Sequence, residues 1–314
     1  MSRKIIIDTD PGQDDAVAIL LALASPEELD VLGIVAVAGN VGLHHNANNA
    51  RKVVELSGRH EVPVYAGCPR PMRRNLVTAE HVHGDTGMNG PDLPAPTLVP
   101  LQQQHGVDFI IDTLMAAPPK TVTLCTLGPL TNIAMALVKQ PAIAERIAEI
   151  VMMGGAYFEV GNITPSAEFN IFVDPEAADV VLRCGAPITM QPLDVTHEVQ
   201  STRERLEAIR ALGNRSGQAV HDMLTFSETF DLKKYGWAGA PLHDPTVIAY
   251  LLQPELFTGR QCNVTVETAS ELTLGMTVAD YWHVTDRPRN VNYLRHADAE
   301  GFYELLTQRL ARLP

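Results

Sequence analysis

A dense group of aspartates near the start of the chain is the clearest chemical signal in the sequence. The run DTDPGQDD places Asp8, Asp10, Asp14 and Asp15 around a Pro-Gly turn, directly after the three isoleucines at 5–7. Carboxylates at this density repel one another and raise each other's pKa unless a positive charge lies among them. A single aspartate here would be interpreted as a turn or cap residue. Four together predict a cation site, and oxygen ligands without nearby Cys or His suit Ca²⁺ or Mg²⁺ better than zinc.

Alternating strand and helix patterns surround this motif and predict an α/β fold with a mostly parallel, doubly wound sheet. The predicted strands cover residues 4–8, 32–38, 62–66, 121–126, 147–153 and 186–190. The predicted helices cover residues 13–24, 44–57, 107–116 and 131–139, with a last helix from Asp298. Alternation at 263–266 and 272–278 predicts a small antiparallel C-terminal addition. We expect one domain over residues 1–314, because no composition shift marks a linker.

Composition restricts the class of protein. The chain has 314 residues, 46% of them hydrophobic and 19% charged, with a formal net charge of -13, which is typical of a globular protein with a substantial core. This acidity argues against nucleic acid or an anionic membrane as a partner. No uncharged run reaches the ~20 apolar residues that a membrane span requires. The four cysteines are widely separated, so we expect a reduced, cytoplasmic protein.

Polar residues follow several predicted strands, where ligands collect in open α/β sheets. These residues are Asn40, the segment LGPLTN at 127–132, Asn162, Glu168 and Asn170, and further on His243 and Asp244. Phosphatases of the haloacid dehalogenase type also begin with a strand and a DxD loop, but they need later Ser/Thr and Lys residues. Amides, carboxylates and imidazoles suit a neutral polyol better than a phosphate, which argues against that class.

Taken in order, the segments DTDPGQDDAVAI, VAGN, HGDTG, LGPLTN, MGGAY, NITPSAEFNIFVDPEAA and HDPT resemble the inosine-uridine-preferring nucleoside hydrolases. The resemblance extends over nearly the whole chain, except for the C-terminal hairpin and helix. It implies a Rossmann-like domain that binds one Ca²⁺ and hydrolyses the N-glycosidic bond of ribonucleosides to free base and ribose.

The resemblance also implies site residues. Those implied for the calcium ion are Asp10, Asp15, Asp244 and the main-chain carbonyl of Leu127, where family members often have Thr. Asp8 is implied as a ligand or as a support for the metal loop. In addition, Asp10 would act as general base on a water at the metal, which suits a carboxylate beside a cation.

The remaining roles concern the substrate. The residues implied for ribose are Asp14 and Asn170 at the 2′- and 3′-hydroxyls, Asn162 and Glu168 at the 5′-hydroxyl, Met153 along the pocket, and Asn40 at water or ribose. His243 is the leading candidate for the acid that protonates the departing base, and His83 resembles the family's second pocket histidine. Gln13 occupies a variable position and receives no role.

Two other interpretations stay open at this point. His81 and His83 spell the HxH pair of zinc amidohydrolases, but in a Pro-rich loop rather than at a barrel strand. A non-catalytic Ca²⁺- or sugar-binding protein on the same scaffold would be expected to lack the base or the acid, yet Asp10 and His243 are both present.

Base preference is predicted from the aromatic segment 226–237. Tyr235 and Trp237 are candidates to stack on the base and Phe230 to pack against it, although ordinary packing explains such spacing more often. The run Tyr-Gly-x-Ala-Gly-x-Pro-x-His-Asp resembles pyrimidine-preferring members, which favours uridine and cytidine. Purine, broad-specificity and modified-nucleoside hydrolysis stay as alternatives. The resemblance also implies a homo-oligomer, either a dimer or a tetramer.

Overall fold

The computed structural model describes residues 2–314, with the side chains of Asp231, Lys234 and Tyr235 outside the described part. Its strands are β1 (Arg3–Thr9), β2 (Leu29–Ala36), β3 (Val64–Ala66), β4 (Val122–Thr126), β5 (Ile147–Met153), β6 (Ile188–Gln191), β7 (Gln200–Thr202), β8 (Gly239–Pro241), β9 (Phe257–Val266), β10 (Thr277–Asp280) and β11 (Val291–Ala297). The helices are α1 (Gln13–Leu23), α2 (Leu43–Ser57), α3 (Glu80–His83), α4 (Gly106–Ala116), α5 (Thr131–Lys139), α6 (Phe169–Val173), α7 (Pro175–Leu182), α8 (Leu193–Thr196), α9 (Arg203–Arg210), α10 (Arg215–Tyr235), α11 (Pro245–Leu252) and α12 (Ala299–Leu310).

The main sheet has the order β10-β9-β11-β6-β5-β4-β1-β2-β3. From β3 to β11 the neighbouring strands are parallel, whereas β9 and β10 are antiparallel additions at one edge. The segment 3-2-1-4-5-6 is the Rossmann strand order, in which β2 and β3 are added on one side of β1 and β4 to β6 on the other, so that the switch point lies between β1 and β4. The predicted α/β class, with a doubly wound sheet and a small antiparallel addition, is confirmed. The prediction of a single domain over 1–314 stays a prediction.

Hydrophobic packing covers both faces of the sheet. Ile5 and Ile7 belong to a core shared with α1, α2, α11 and α12, and Ile6 belongs to a second core shared with α4, α5 and α7. This division follows from the period of two in a strand, which sends successive side chains to opposite faces. Because β1 is apolar on both faces, it can only be a central strand, and its carboxyl end is placed in the middle of the molecule.

Some predicted boundaries were wrong. The second strand runs over Leu29–Ala36 rather than 32–38, and the strand predicted at 186–190 is β6 at Ile188–Gln191. The second strand of the C-terminal hairpin begins at Thr277, while Leu272 is 85% exposed in a turn. The apolar alternation that suggested a strand at 272 therefore belongs to a surface connection. The sequence patterns also left α10, a helix of 21 residues, undetected.

No helix in the described residues 2–314 has both the length and the apolar character needed to cross a membrane.

The buried Asp194 helps to attach the long segment 154–170 to the sheet. The carboxylate of Asp194, in α8, accepts hydrogen bonds from the backbone N–H groups of Tyr157, Phe158 and Glu159, at 3.1, 2.6 and 3.2 Å. It also accepts one from the hydroxyl of Tyr293 at 2.9 Å, and that tyrosine is fully buried in β11. Because the same segment carries Asn162 and Glu168, Asp194 helps to set where these two side chains lie.

We expect Asp194→Ala to lower the free energy of unfolding by about 3 kcal/mol, because a buried tyrosine hydroxyl and several N–H groups lose their acceptor. Urea denaturation followed by circular dichroism measures this. Asp179→Ala is the control, since Asp179 is paired at 3.5 Å with the exposed Arg183 and a surface pair contributes little. Equal midpoints for the two variants would contradict the anchoring role of Asp194.

Candidate active site

An open cavity lies at the switch point of the sheet, outside the carboxyl ends of β1 and β4. The predicted site residues that line it are Asp14, Asn40, His83, Leu127, Met153, Asn162, Glu168, Asn170, His243 and Asp244. The structure thus brings together side chains that are separated by up to 230 positions in the sequence. Asp8, Asp10 and Asp15 lie beneath this lining and are almost completely buried. The predicted substrate residue Tyr235 has its side chain outside the described part of the structure.

Three carboxylates converge at the floor of the cavity. Asp14, Asp15 and Asp244 each offer an oxygen, and these oxygens lie within 4.8 Å of one another. Asp14 and Asp15 belong to the first turn of α1, whose N-terminus carries partial positive charge, and Asp244 directly precedes α11. One helix terminus offsets only part of this repulsion. The cluster therefore has the donor chemistry of a divalent-cation site.

Asp15 is held by its own loop. Its carboxylate accepts hydrogen bonds from the hydroxyl of Thr9 and from the backbone N–H groups of Asp10 and Gly12, at 3.3 and 2.9 Å for the latter two. Burial and then the neighbouring charge of Asp14 raise the pKa of Asp15 to about 6. Burial, followed by the surrounding aspartates, also raises the pKa of Asp244 well above its ordinary value.

The carboxylate of Asp10 is confined between two glycines. A Cβ added at Gly39 would lie 2.0 Å from its Oδ2, and one added at Gly128 would lie 2.2 Å from its Oδ1. Oδ2 accepts a hydrogen bond from the backbone N–H of Asn40 at 2.7 Å, whereas the buried Oδ1 has no hydrogen-bond partner among the described residues. An orphaned, buried carboxylate oxygen beside an acidic cluster fits a cation ligand.

The metal assignments stay predictions. The structure groups Asp14, which the resemblance assigned to ribose, with Asp15 and Asp244, and Asp10 lies outside that group. Asp8 lies deeper: its Oδ2 accepts a hydrogen bond from Asn132 of α5 at 2.7 Å, and burial raises its pKa to about 8. This contact joins β1 to α5, whereas Oδ1 of Asp8 has no hydrogen-bond partner among the described residues, so both the supporting role and the ligand role of Asp8 stay predictions.

Asn170 connects the segment 154–170 to β4. Its side-chain amide donates to the carbonyl oxygen of Leu127 at 2.7 Å, the same oxygen that was predicted as a metal ligand. Glu168 caps α6 by accepting from the N–H groups of Asn170 and Ile171, and it accepts from Gly155 at 3.0 Å. Burial raises the pKa of Glu168 to about 7. Glu168 therefore orients Asn170 in addition to facing the cavity.

Both predicted histidines reach the cavity, and each has its Nδ1 held by a residue that sequence reasoning missed. Nδ1 of His243 lies 2.7 Å from the hydroxyl of Thr196 at the end of α8. Nδ1 of His83 lies 2.6 Å from Oε1 of Gln13, and burial lowers the pKa of His83. No motif marks Thr196, and Gln13 stands at a variable position, so neither partner had a signal in a single sequence.

The described side chains of the aromatic segment differ in their relation to the cavity, and Tyr235 stays a prediction. Phe230 lines the cavity and meets the ring of His81 edge-on, with ring centroids 5.7 Å apart. Trp237 contacts the ring of His197, with centroids 4.9 Å apart, and is not among the described residues that line the cavity. Stacking of Trp237 on a base is therefore not supported by its position.

A Rossmann-type sheet with buried carboxylates at its switch point, below amides and two histidines, defines a hydrolase site for a neutral, hydroxyl-rich substrate. The family model of inosine-uridine preferring nucleoside hydrolases matches residues 5–304. The chain belongs to this family, and it is an enzyme of the class that hydrolyses the N-glycosidic bonds of nucleosides. The resemblance seen in the sequence is thereby confirmed.

Individual relatives agree with this assignment. The pyrimidine-specific ribonucleoside hydrolase RihA of Shewanella sp. (strain ANA-3) is 48% identical over 312 residues, which cover 99% of this chain and 97% of that protein. The plant nucleoside hydrolase PpNRh1 is 33% identical, with a TM-score of 0.92 and 99% of each chain covered. A purine-preferring ribonucleoside hydrolase from Gardnerella vaginalis is 33% identical, with a TM-score of 0.91 and 98% of each chain covered.

The raised carboxylate pKa values predict how pH acts on the protein without a divalent cation. The ordinary pKa of an aspartate is 3.8, whereas in the folded protein the pKa is about 6 for Asp15 and about 8 for Asp8. Between these values the folded protein keeps protons that the unfolded chain has released. Stability should therefore fall as pH rises from about 4 to about 8. Calcium should raise the melting temperature, and more so at the upper end of this range, because binding favours the ionised carboxylates.

Thermal melts across this range, with EGTA and with Ca²⁺, measure both effects. Asp15→Asn should abolish most of the calcium-dependent increase. Asp280→Asn should retain it, because the carboxylate of Asp280 is 8% exposed and accepts from Val284 and Thr285 in the C-terminal addition, outside the lining of the cavity. If Ca²⁺ raised the melting temperature by the same amount at every pH, calcium binding would not be coupled to the ionisation of these carboxylates, and the prediction would be wrong.

Proposed function

We propose that this protein hydrolyses ribonucleosides in a calcium-dependent reaction and prefers the pyrimidine nucleosides uridine and cytidine. The observation that supports this most directly is the acidic cluster of Asp14, Asp15 and Asp244 under a cavity lined by amides and two imidazoles. The pyrimidine-specific relative, at 48% identity, supports the base preference. The purine-preferring relative, at 33% identity, is the reason to retain purine or broad specificity as the alternative.

The donors proposed for calcium are the carboxylates of Asp10, Asp15 and Asp244 and the carbonyl oxygen of Leu127. Asp14 lies close enough to this set to contribute as well. When bound, the ion would supply the positive charge that the carboxylates lack and would lower the pKa of a nearby water. The unpartnered Oδ1 of Asp10 and the hard, oxygen-only character of this set support calcium over zinc.

In the proposed reaction, Asp10 accepts a proton from the water that attacks C1′ of ribose. The hydrogen bond from the backbone N–H of Asn40 to Oδ2 fixes the orientation of the Asp10 carboxylate. Asp14 and Asn170 bind the 2′- and 3′-hydroxyls, and Asn162 and Glu168 the 5′-hydroxyl. Oxygen-rich surroundings of this kind stabilise the positive charge that develops on the sugar as the bond breaks.

The base leaves with the electron pair of the N-glycosidic bond, and His243 is proposed to give it a proton. Thr196 supports this role, because its hydroxyl can accept from Nδ1 of a protonated imidazole and so directs the proton on Nε2 towards the cavity.

A cytoplasmic location and a dimeric or tetrameric state belong to the proposal as expectations from composition and family.

The first experiment measures ribose released from uridine, cytidine, inosine and adenosine, with Ca²⁺ and after dialysis against EGTA. We expect release that chelation removes and Ca²⁺ restores, with the two pyrimidine nucleosides turned over fastest. A faster reaction with inosine would establish the purine alternative. Folded, calcium-loaded protein that releases no ribose from any of the four would refute hydrolysis of the common nucleosides and direct attention to modified nucleosides or to a binding role.

We expect Asp10→Asn to reduce kcat for uridine by at least about 10²-fold, the contribution typical of a general base, while the protein stays folded. Steady-state kinetics and circular dichroism test this together. Asp280→Asn serves as the matched control, since it removes a buried carboxylate charge far from the cavity and should leave kcat unchanged. Full activity in Asp10→Asn would assign the base to another residue.

A further inference from the structure

Gln13 is fully buried at the start of α1. The contacts of its side-chain amide permit only one of the two ways in which the amide nitrogen and oxygen can be placed. Its Nε2 donates to two backbone carbonyl oxygens, those of His83 at 3.1 Å and Asn89 at 3.0 Å. Exchanging the amide nitrogen and oxygen would direct an oxygen at both carbonyls, without a hydrogen between them. The side-chain oxygen of Gln13 must therefore face Nδ1 of His83, where the distance is 2.6 Å.

An amide oxygen only accepts hydrogen bonds, so Nδ1 of His83 has to be the donor. In a neutral imidazole a hydrogen on Nδ1 leaves a lone pair on Nε2. The ring lines the cavity, and with Nδ1 engaged by Gln13, Nε2 is the nitrogen left to meet a ligand. The partner at Nδ1 is an uncharged amide, and burial lowers the pKa of the ring by more than the nearby charge of Asp14 raises it, which favours the neutral form.

The second histidine of the cavity has a different partner. The hydroxyl of Thr196 beside Nδ1 of His243 can donate or accept, so it does not select one tautomer. His83 is held by an acceptor only. This difference separates the two imidazoles chemically, although sequence alone presents them as equivalent pocket histidines.

We propose that Gln13 is a positioning residue that holds His83 with its hydrogen on Nδ1, so that Nε2 accepts a hydrogen bond from an N–H or O–H group of the bound nucleoside. His83 then contributes to substrate binding as an acceptor rather than as a second acid. The kinetic part of this inference rests on the proposed nucleoside hydrolysis, whereas the tautomer can be tested without any turnover.

Histidine-selective ¹⁵N labelling and long-range ¹H–¹⁵N NMR of the calcium-loaded protein report which ring nitrogen carries the hydrogen. The His83→Gln spectrum assigns the signal of His83. We expect the Nδ1–H form in the unmodified protein. In Gln13→Glu the carboxylate can also accept from Nδ1, but its negative charge should favour the doubly protonated ring. Gln13→Met has no acceptor oxygen and should show the Nε2–H form or a mixture of the two.

Kinetics supply the second measurement. Gln13→Met should raise KM for the preferred nucleoside about tenfold with little change in kcat, which is the effect expected from weakening one substrate hydrogen bond. Gln13→Glu should also raise KM, because a doubly protonated ring has no acceptor nitrogen for the substrate. Asn290→Leu is the matched control, because it also removes an amide that donates to two carbonyls, those of Leu182 and Val264, away from the cavity.

An Nε2–H or doubly protonated His83 in the unmodified protein would overturn the inference, and so would an unchanged tautomer in folded Gln13→Met. A KM change equal to that of Asn290→Leu would show only a general loss of stability and would also count against it. The expected tautomer in a protein that releases no ribose would refute the proposed function and leave the tautomer assignment standing.

Discussion

Burial of like charges is the constraint on which the rest of this structure depends. Asp10, Asp15 and Asp244 are each at most 3% exposed, and Asp14 lies beside them at the floor of the cavity. Burial penalises each negative charge and the neighbours penalise it further, so their pKa values rise where a shift is resolved. Hydrogen bonds from the first loop orient Asp15 without neutralising it. A fold that gathers these groups has the donor chemistry of the proposed cation site.

Close approach of the main chain holds the carboxylate of Asp10 in place. Gly39 follows β2 and Gly128 follows β4, the two strands that flank β1. Both glycines lie so close to Asp10 that a Cβ at either position would overlap its oxygens. The parallel order of β2, β1 and β4 brings the two turns together at one edge of the sheet. Only glycine leaves room for the Asp10 carboxylate at these two positions. The order of the strands therefore determines where the candidate general base lies.

Hydrogen bonds behind the cavity surface decide how its functional groups are presented. Asp194 ties residues 157–159 to the sheet, Glu168 accepts from the backbone of Asn170, and Gln13 and Thr196 each engage one histidine. Of these four residues only Glu168 also lines the cavity. Such contacts determine direction and protonation state, which is what distinguishes a reactive arrangement from a collection of polar residues.

Local patterns in the sequence by themselves determined the alternation of strands and helices, the central position of β1, the carboxylate-rich loop after it and the family. They could do so because the period of apolar residues and the chemistry of a strand–loop motif are set within a few positions. Only the tertiary structure placed Asp244 beside Asp14, Gln13 against His83, and the exposed Leu272 outside a strand. These contacts join distant parts of the chain, and their geometry depends on how packed elements meet rather than on neighbouring residues.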